Sequence, residues 1–425
     1  MKISITMSRK NLWEYLAIIS MILECSSIYF NTIQGTIISS NIVLIIGFLP
    51  LTIVGLFYLI SHRASRIKLF KAVVGYLLFF IIYCLTLGKA ELVNFLMKFG
   101  AIFPCIGIYI LYLIESVGLR RFAIRYVRIV SIIAGLSLIL WLLGPICGIL
   151  KPTGTIAYSW GNMANNASSY FNFQFETQLE QTVFGVWRNT AFFTEAPKYG
   201  LILSIAYIFN YLFLKDKKIM ILLLTAIVST FSFTAIIAIV LIHFIEYSMN
   251  VGRDVLSRKA KVRTIIWPIM ITIVLILIYF LMGNKLDTSS GVGRIGDFVV
   301  CFMVGMHHPI FGWGFLDNEY LNNVLHSSRL ANGVGNTMGL TNSISQIFID
   351  GGIYLLLFYL IPLISIILWG KINNVKIFSI GIVFLYFIIT TYFAYSGVMF
   401  FILSFGYGFV IYKNSNKLKE NFENL

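Results

Sequence analysis

I-M-I-L-L-L-T-A-I-V-S-T-F-S-F-T-A-I-I-A-I-V-L-I-H-F-I-E-Y, from Ile219 to Tyr247, is an apolar run flanked by Lys215, Lys217 and Lys218 on one side and by Arg253, Arg258, Lys259, Lys261 and Arg263 on the other. About 20 apolar residues cross the roughly 30 Å hydrocarbon core of a bilayer. A single crossing would therefore put the two basic groups on opposite faces, against the excess of Lys and Arg that cytoplasmic loops carry. Dividing the run at Ser229, Thr230 and Ser232 removes the conflict. The run then makes two short spans or a re-entrant hairpin, whose irregular backbone has to be buried in protein. Hydroxyl side chains satisfy the backbone groups freed at such a break.

Working outward, the same logic organises the whole chain. Of its 425 residues, 59% are hydrophobic and 12% charged, which is too apolar for a soluble protein. Spans are expected near 11–30, 37–60, 69–87, 92–115 and 129–150, then from Pro197 to Leu214 and across the divided run. Ile265 to Met282, Leu340 to Trp369, Ile377 to Phe393 and Val398 to Tyr412 complete the set. The fold class is thus an all-α polytopic membrane protein with about twelve transmembrane helices, one membrane domain over residues 1–425. The first apolar run lacks a small-residue cleavage site and reads as a retained span.

Basic clusters set the orientation. Lys2, Arg9 and Lys10, then Arg63, Arg66, Lys68 and Lys71, then Arg120, Arg121, Arg125 and Arg128 alternate with bare loops. By the positive-inside rule both termini are cytoplasmic. The net charge of +15 comes from these clusters, so nucleic acid is not an expected partner. The five cysteines, Cys25, Cys84, Cys105, Cys147 and Cys301, show neither a disulfide framework nor metal-ligand spacing. No metal or other cofactor is expected.

Two long segments are left on the outer side, 151–196 and 284–340, and loops of that length in a compact protein are usually functional. The first begins with turn formers and carries Tyr158, Trp160, Tyr170, Phe171 and Phe173, for which an interfacial aromatic belt is the default reading. It ends W-R-N-T-A-F-F-T-E-A-P-K-Y-G, placing Arg188 and Glu195 just before Pro197 opens a span. Trp187, Lys198 and Tyr199 flank them as candidate substrate contacts. A salt bridge from Arg188 to Glu195, pinning the loop to that span, is the structural alternative.

In the second segment Arg294 lies in the glycine-rich approach T-S-S-G-V-G-R-I-G-D-F, where backbone and guanidinium can come close to an anion. His307 and His308 have no partner cluster at ligand spacing and read as interfacial. His326 and Arg329, between asparagines, are candidate site residues, with a solvated loop as the alternative. Within spans, Glu24, Lys98 and Asp350 stand out, because each charge at mid-span costs about 2.5 to 3.5 kcal/mol and needs a partner or water. Glu24 with Lys98 is the expected buried pair, while Asp350 is expected near the interface.

With these segments in view, the chain resembles the O-antigen polymerase (Wzy-type) and O-antigen ligase superfamily. R-N-T-A-F-F-T-E-A-P at Arg188 to Pro197 carries the resemblance. So do G-V-G-R-I-G-D-F with H-P-I-F-G-W-G-F around Arg294 to Phe315, T-N-S-I-S-Q-I-F-I-D-G-G-I at Thr341 to Ile353, and S-F-T-A at Ser232 to Ala235. Ligases of the superfamily usually carry a histidine before the asparagine that opens the late span, whereas here Thr341 precedes Asn342. That departure favours a polymerase over a ligase.

The resemblance implies an architecture like that of GT-C-type glycosyltransferases in the bacterial cytoplasmic membrane. It also implies a glycosyltransferase reaction in which a polyprenyl-pyrophosphate-linked glycan moves onto the sugar hydroxyl of another lipid-linked repeat. Partners implied with it are the bilayer, a chain-length regulator and a flippase. In that reading Arg188 and Arg294 meet the pyrophosphate, because guanidinium stays charged and binds phosphate oxygens in a planar fork. Glu195 or His326 is the general base, and Arg329 and Asn342 contact substrate. A lipid-linked oligosaccharide flippase, using intramembrane charges such as Glu24 and Lys98, is the reading from another class.

Overall fold

The computed structural model describes residues 9–33, 38–160, 163–177, 185–251, 289–316, 330–331, 336–337 and 340–422. They form a mostly helical protein. Helix α1 (Arg9–Glu24) is followed by α2 (Ser40–Ser61) and α3 (Arg63–Cys84). Next, α4 (Lys89–Phe95) runs through a π-helical turn, Leu96–Ile102, into α5 (Phe103–Glu115). Helix α6 (Leu119–Trp141) likewise ends in a π turn at Leu142–Ile146, and α7 (Ala196–Phe209) in one at Asn210–Leu214. Among the described residues, six helical segments are long and apolar enough to cross a membrane: Ser40–Ser61, Arg63–Cys84, Glu91–Glu115, Leu119–Ile146, Ala196–Leu214 and Ser343–Asn373.

The divided run is two helices, α8 (Lys217–Ser229) and α9 (Phe233–Val251). Asp216 starts α8 by accepting from the amides of Lys218 and Ile219, the usual service of an aspartate at a helix N-terminus. The chain reverses at Thr230 to Ser232, where Phe231 takes a φ of 47°. The expected division at Ser229, Thr230 and Ser232 is therefore where the helices part. The span expected at Ile265 to Met282, and the basic residues Arg253 to Arg263, lie outside the described residues.

After α10 (Ser289–Gly305) come α11 (Ser343–Asn373), α12 (Val375–Thr390), α13 (Gly397–Tyr412) and the short α14 (Asn416–Glu420). Helix α11 is broken at Gly352, whose φ of 57° and ψ of −154° are not helical. Its backbone groups there are met by the preceding loop: Ile353 and Tyr354 donate to the carbonyls of Pro309 and Ile310 at 2.8 and 3.0 Å. In return, Trp313 donates to the Ile349 carbonyl at 2.8 Å. An interrupted helix at membrane depth needs such a protein-supplied partner.

Helix α7 lies innermost, with 83% of its span buried against 11% for α3 at the rim. It packs on α6, α8 and α9, while α5 packs on α2 and α13, and α11 on α12 and α13. Between these groups sits an aromatic core around Phe99, which touches Phe79, Phe95, Phe358 and Phe400. Phe315, at the end of P-I-F-G-W-G-F, reaches into it against Phe95 and Phe99.

Two expectations are corrected outside the spans. The segment expected as the first outer loop is not open throughout: it carries an antiparallel sheet, β1 (Gly154–Trp160), β2 (Met163–Tyr170) and β3 (Gln174–Glu176). Both its edges are covered, one by Asn31 to Ile33 and the other by Ala191, which bonds Phe175 at 3.0 Å. Tyr158 and Tyr170 are buried and Phe171 is exposed. Burial and a bond to Glu176 raise the Tyr170 phenol above its usual range. The second correction is to Thr288 to Phe298: from Ser289 onward it is the start of α10 and not a glycine-rich turn. Its glycines are spaced between residues that tolerate a helix, and packing on α11 outweighs their low propensity.

Candidate functional site

The stretch W-R-N-T-A-F-F-T-E-A-P is pinned along its length. Trp187 is half-buried, and its carbonyl accepts from the Trp141 indole at 2.7 Å. Arg188 is buried, and its guanidinium donates to the carbonyls of Thr230 (2.9 Å) and Phe231 (3.4 Å). These carbonyls close the C-terminal end of α8, where backbone acceptors lack intrahelical donors and the helix dipole favours a cation. Asn189 continues the seam: its amide donates to the Ser229 carbonyl and its side chain to the Ser229 hydroxyl, both at 3.0 Å. Thr194 then bonds the Ser26 carbonyl, tying the stretch to the end of α1.

Glu195 makes its ion pair with Lys198, 3.8 Å away one turn along α7, and not with the arginine that the sequence pairs it with. Lys198 is buried, donates to the Tyr392 carbonyl and sits 5.0 Å over the Tyr392 ring. Tyr199 is fully buried, bonded to Ser137 at 2.7 Å and stacked on Phe193, so its phenol belongs to packing between α7 and α6.

Lys198 leads to a feature that the sequence reading passes over. The segment Y-F-A-Y-S-G, 392–397, joins α12 to α13, and it is held from three directions, by α7, by α11 and by the end of α1. The Tyr392 carbonyl accepts from Lys198, and the Phe393 amide donates to the Ser343 hydroxyl at 2.8 Å. The Ala394 carbonyl accepts from Tyr359 at 2.7 Å, and the Tyr395 hydroxyl donates to Asp350 at 2.6 Å. The Ser396 hydroxyl donates to the Phe393 carbonyl at 2.9 Å and caps α13 by accepting from the Met399 amide, and the Gly397 amide donates to Glu24 at 2.7 Å.

The expected pair of Glu24 with Lys98 is present at 3.1 Å, with the two side chains 4% and 15% exposed. Lys98 stands in the π turn between α4 and α5, a helix distortion frequent at functional positions. Cys25, next in the chain, lies within electrostatic reach of Glu24, Glu195 and Lys198, so both ion pairs border one region. Asp350 is fully buried at the break in α11 and has protein partners there, Gln346 donating to it at 2.7 Å alongside Tyr395. The region thus gathers three carboxylates, Glu24, Glu195 and Asp350, and two ammonium groups, Lys98 and Lys198. Lys98, Glu195, Tyr392 and Ser396 are the partly exposed members, whereas the Glu24 side chain is buried. Such a set can neutralise an anion with the lysines and offer a carboxylate to a hydroxyl proton.

Of the remaining candidates, Arg294 belongs to the first half of α10, whose next acidic residue, Asp297, accepts from both the amide and hydroxyl of Thr341. Asn342 is buried and caps α11, accepting from the Ser345 amide at 2.8 Å. His326 and Arg329 lie outside the described residues. Among the described residues no group of His, Cys, Asp and Glu could hold a metal ion. A second charged group unmarked by the sequence reading is Glu14 on α1, fully buried and paired with Arg121 (3.0 Å) and Arg125 of α6. Both arginines count as loop charges in the sequence, and only the fold shows that Arg125 is buried against Glu14 while Arg121 reaches it from an exposed position.

No protein-family model matches this chain. No curated protein is found to match it either.

Proposed function

We propose that this chain is a polysaccharide repeat-unit polymerase of the bacterial cytoplasmic membrane, a twelve-span enzyme with both termini inside. It transfers a polyprenyl-pyrophosphate-linked glycan to the sugar hydroxyl of a second lipid-linked repeat at the outer face. The observation that carries the reading is the gathering of Glu24, Lys98, Glu195 and Lys198 around the segment 392–397, at the opposite end of α1 from the Glu14 and arginine cluster. A pyrophosphate leaving group at a membrane edge is costly unless cations meet it, and Lys198 and Lys98 are the ammonium groups at hand. Arg188 supports the site by holding the α8–α9 turn, and the role proposed for Arg294, at the start of α10, is to meet the pyrophosphate. Glu195, the more exposed of its pair at 22% against 5% for Lys198, is the general base for the acceptor hydroxyl.

The test is elongation of a purified polyprenyl-pyrophosphate-linked repeat by this protein alone in vesicles. A ladder of polymers is expected, and Lys198→Met or Glu195→Gln should slow it by about two to three orders of magnitude. No ladder, or normal ladders from both variants, overturns the reading.

One observation favours a second reading, a lipid-linked oligosaccharide flippase. Discontinuous helices with buried charge are the usual substrate sites of transporters, and α11 breaks beside Asp350. Translocation of a fluorescent lipid-linked saccharide without chain growth would select it.

A further inference from the structure

Helix α10 has two contrasting faces. Asp297, Cys301 and Val304 are buried, and Cys301 packs with Leu340 and Ile349 beside Trp313. Phe298, Val299, Phe302, Met303 and Met306 point the other way, on one continuous arc of the helix, with Phe302 61% and Met303 64% exposed. The described side chains of this face, 296–306, carry no exposed acid, because Asp297 is turned inward onto Thr341. The apolar part of the helix, Gly296–Gly305, is half the length a crossing requires.

What covers the face is indicated by its neighbour. Helix α11 exposes Ile353, Leu357, Ile361, Ile364 and Leu368, a stripe at helical spacing along a segment long and apolar enough to span. This stripe has the pattern of a lipid-facing surface. Phe348, one turn before the break, joins the two surfaces. Its ring stacks on Phe302 with centroids 6.2 Å apart, and it lies so close to Gly305 that an added Cβ there would be 2.5 Å from it. The exposed face of α10 is therefore continuous with the stripe and sits at the end of α11 that the stripe approaches.

We infer that α10 is an interfacial helix that lies on the bilayer at the end of α11 and immerses Phe298, Phe302, Met303 and Met306 among the lipids. An amphipathic helix held this way buries its apolar face about 5–10 Å into the boundary between headgroups and acyl chains. The inference rests on α11 spanning the membrane and not on the reaction proposed above. Its test reads accessibility and is independent of activity.

Phe302→Cys and Met303→Cys, each in a background with Cys84, Cys105 and Cys147 changed to alanine, are spin-labelled in the full-length protein reconstituted into phosphatidylcholine and phosphatidylglycerol vesicles. Collisions with oxygen should exceed those with a water-soluble nickel chelate several-fold, at a depth of about 5–10 Å. A label on Leu357→Cys gives the reference for deep lipid. Greater access to the nickel chelate at 302 and 303 would place the face in water, and a label shielded from both reagents would place it against protein. Either result overturns the inference. Phe302→Asp provides a second measurement: it should weaken the lipid signal of the label at 303 while leaving that at 357 unchanged, and an unchanged signal at both sites counts against it.

Discussion

The Arg188 guanidinium donates through Nε to the Thr230 carbonyl oxygen at 2.9 Å, across 42 residues of chain. This contact joins the stretch leading into α7 to the turn between α8 and α9. Thr230 ends a helix of 13 residues, too short to reach bulk water on both sides of a bilayer. Its carbonyl and that of Phe231 would be left without donors, and a fixed cation answers both the hydrogen-bonding and the dipole requirement.

Arg188→Ala should therefore destabilise the protein, by about 1 to 3 kcal/mol for buried acceptors left unmet. Arg188→Lys should fall between the variant and the parent, since an ammonium keeps the charge and lacks the planar fork. The measurement is denaturant unfolding in detergent, with proteolysis near residue 231 as a local probe. An unchanged midpoint for Arg188→Ala would mean that the turn stands without it.

The Glu24–Lys98 pair lends itself to a double-mutant cycle. Removing one partner of a buried pair leaves an uncompensated charge and costs about 3 to 5 kcal/mol. Lys98→Met should lose that much, whereas Glu24→Gln with Lys98→Met should recover a good part, because a glutamine oxygen can still accept from the Gly397 amide. Unfolding energies that simply add would show that the two groups do not act together.

Much of this was legible in the sequence, and the reasons differ by element. The α8–α9 division followed from an apolar run bounded by lysines and arginines, because charge placement restricts topology independently of local propensity. The Glu24–Lys98 pair followed from the cost of an unpaired charge among lipids. The sheet at Gly154 to Glu176 was hidden because its edges are closed by backbone bonds to Asn31, Ile33 and Ala191, which carry no residue signature and come from remote parts of the chain. The 392–397 segment was hidden for the same reason. Several of its contacts use backbone carbonyls and amides, and their partners are again remote in the chain. Arg294 was placed in a turn by its glycines, although packing of α10 on α11 outweighs their effect on the helix.

Asp350 separates two kinds of loss. Tyr395 and Gln346 both donate to its carboxylate. An asparagine keeps one acceptor, and the tyrosine hydroxyl can turn to accept from the new amide. Asp350→Leu leaves both donors unmet, at about 1 to 3 kcal/mol each. Asp350→Asn should thus unfold at a midpoint near the parent's and Asp350→Leu well below it, and the reverse order would remove Asp350 as the organiser of this corner.

Gly352 offers the strongest expected effect. Its φ of 57° and ψ of −154° lie in a region that only glycine adopts without strain of about 1 to 3 kcal/mol. A Cβ there would also lie 2.5 Å from the Ile310 carbonyl carbon and oxygen and 2.6 Å from the Pro309 oxygen, which are backbone atoms and cannot rotate away. Gly352→Ala must therefore push the 309–314 segment off the break in α11, losing the bonds from Ile353 and Tyr354 and withdrawing Phe315 from the aromatic core. Strain and lost bonds together give about 3 kcal/mol or more. Gly75 in α3 is the control, since nothing lies within 4 Å of its added Cβ. Alanine there should leave stability unchanged or raise it by about 0.5 to 1 kcal/mol. Unfolding midpoints of the two variants decide the matter: equal midpoints would mean that the break is not held by the loop, and a large drop confined to Gly352→Ala would show that it is.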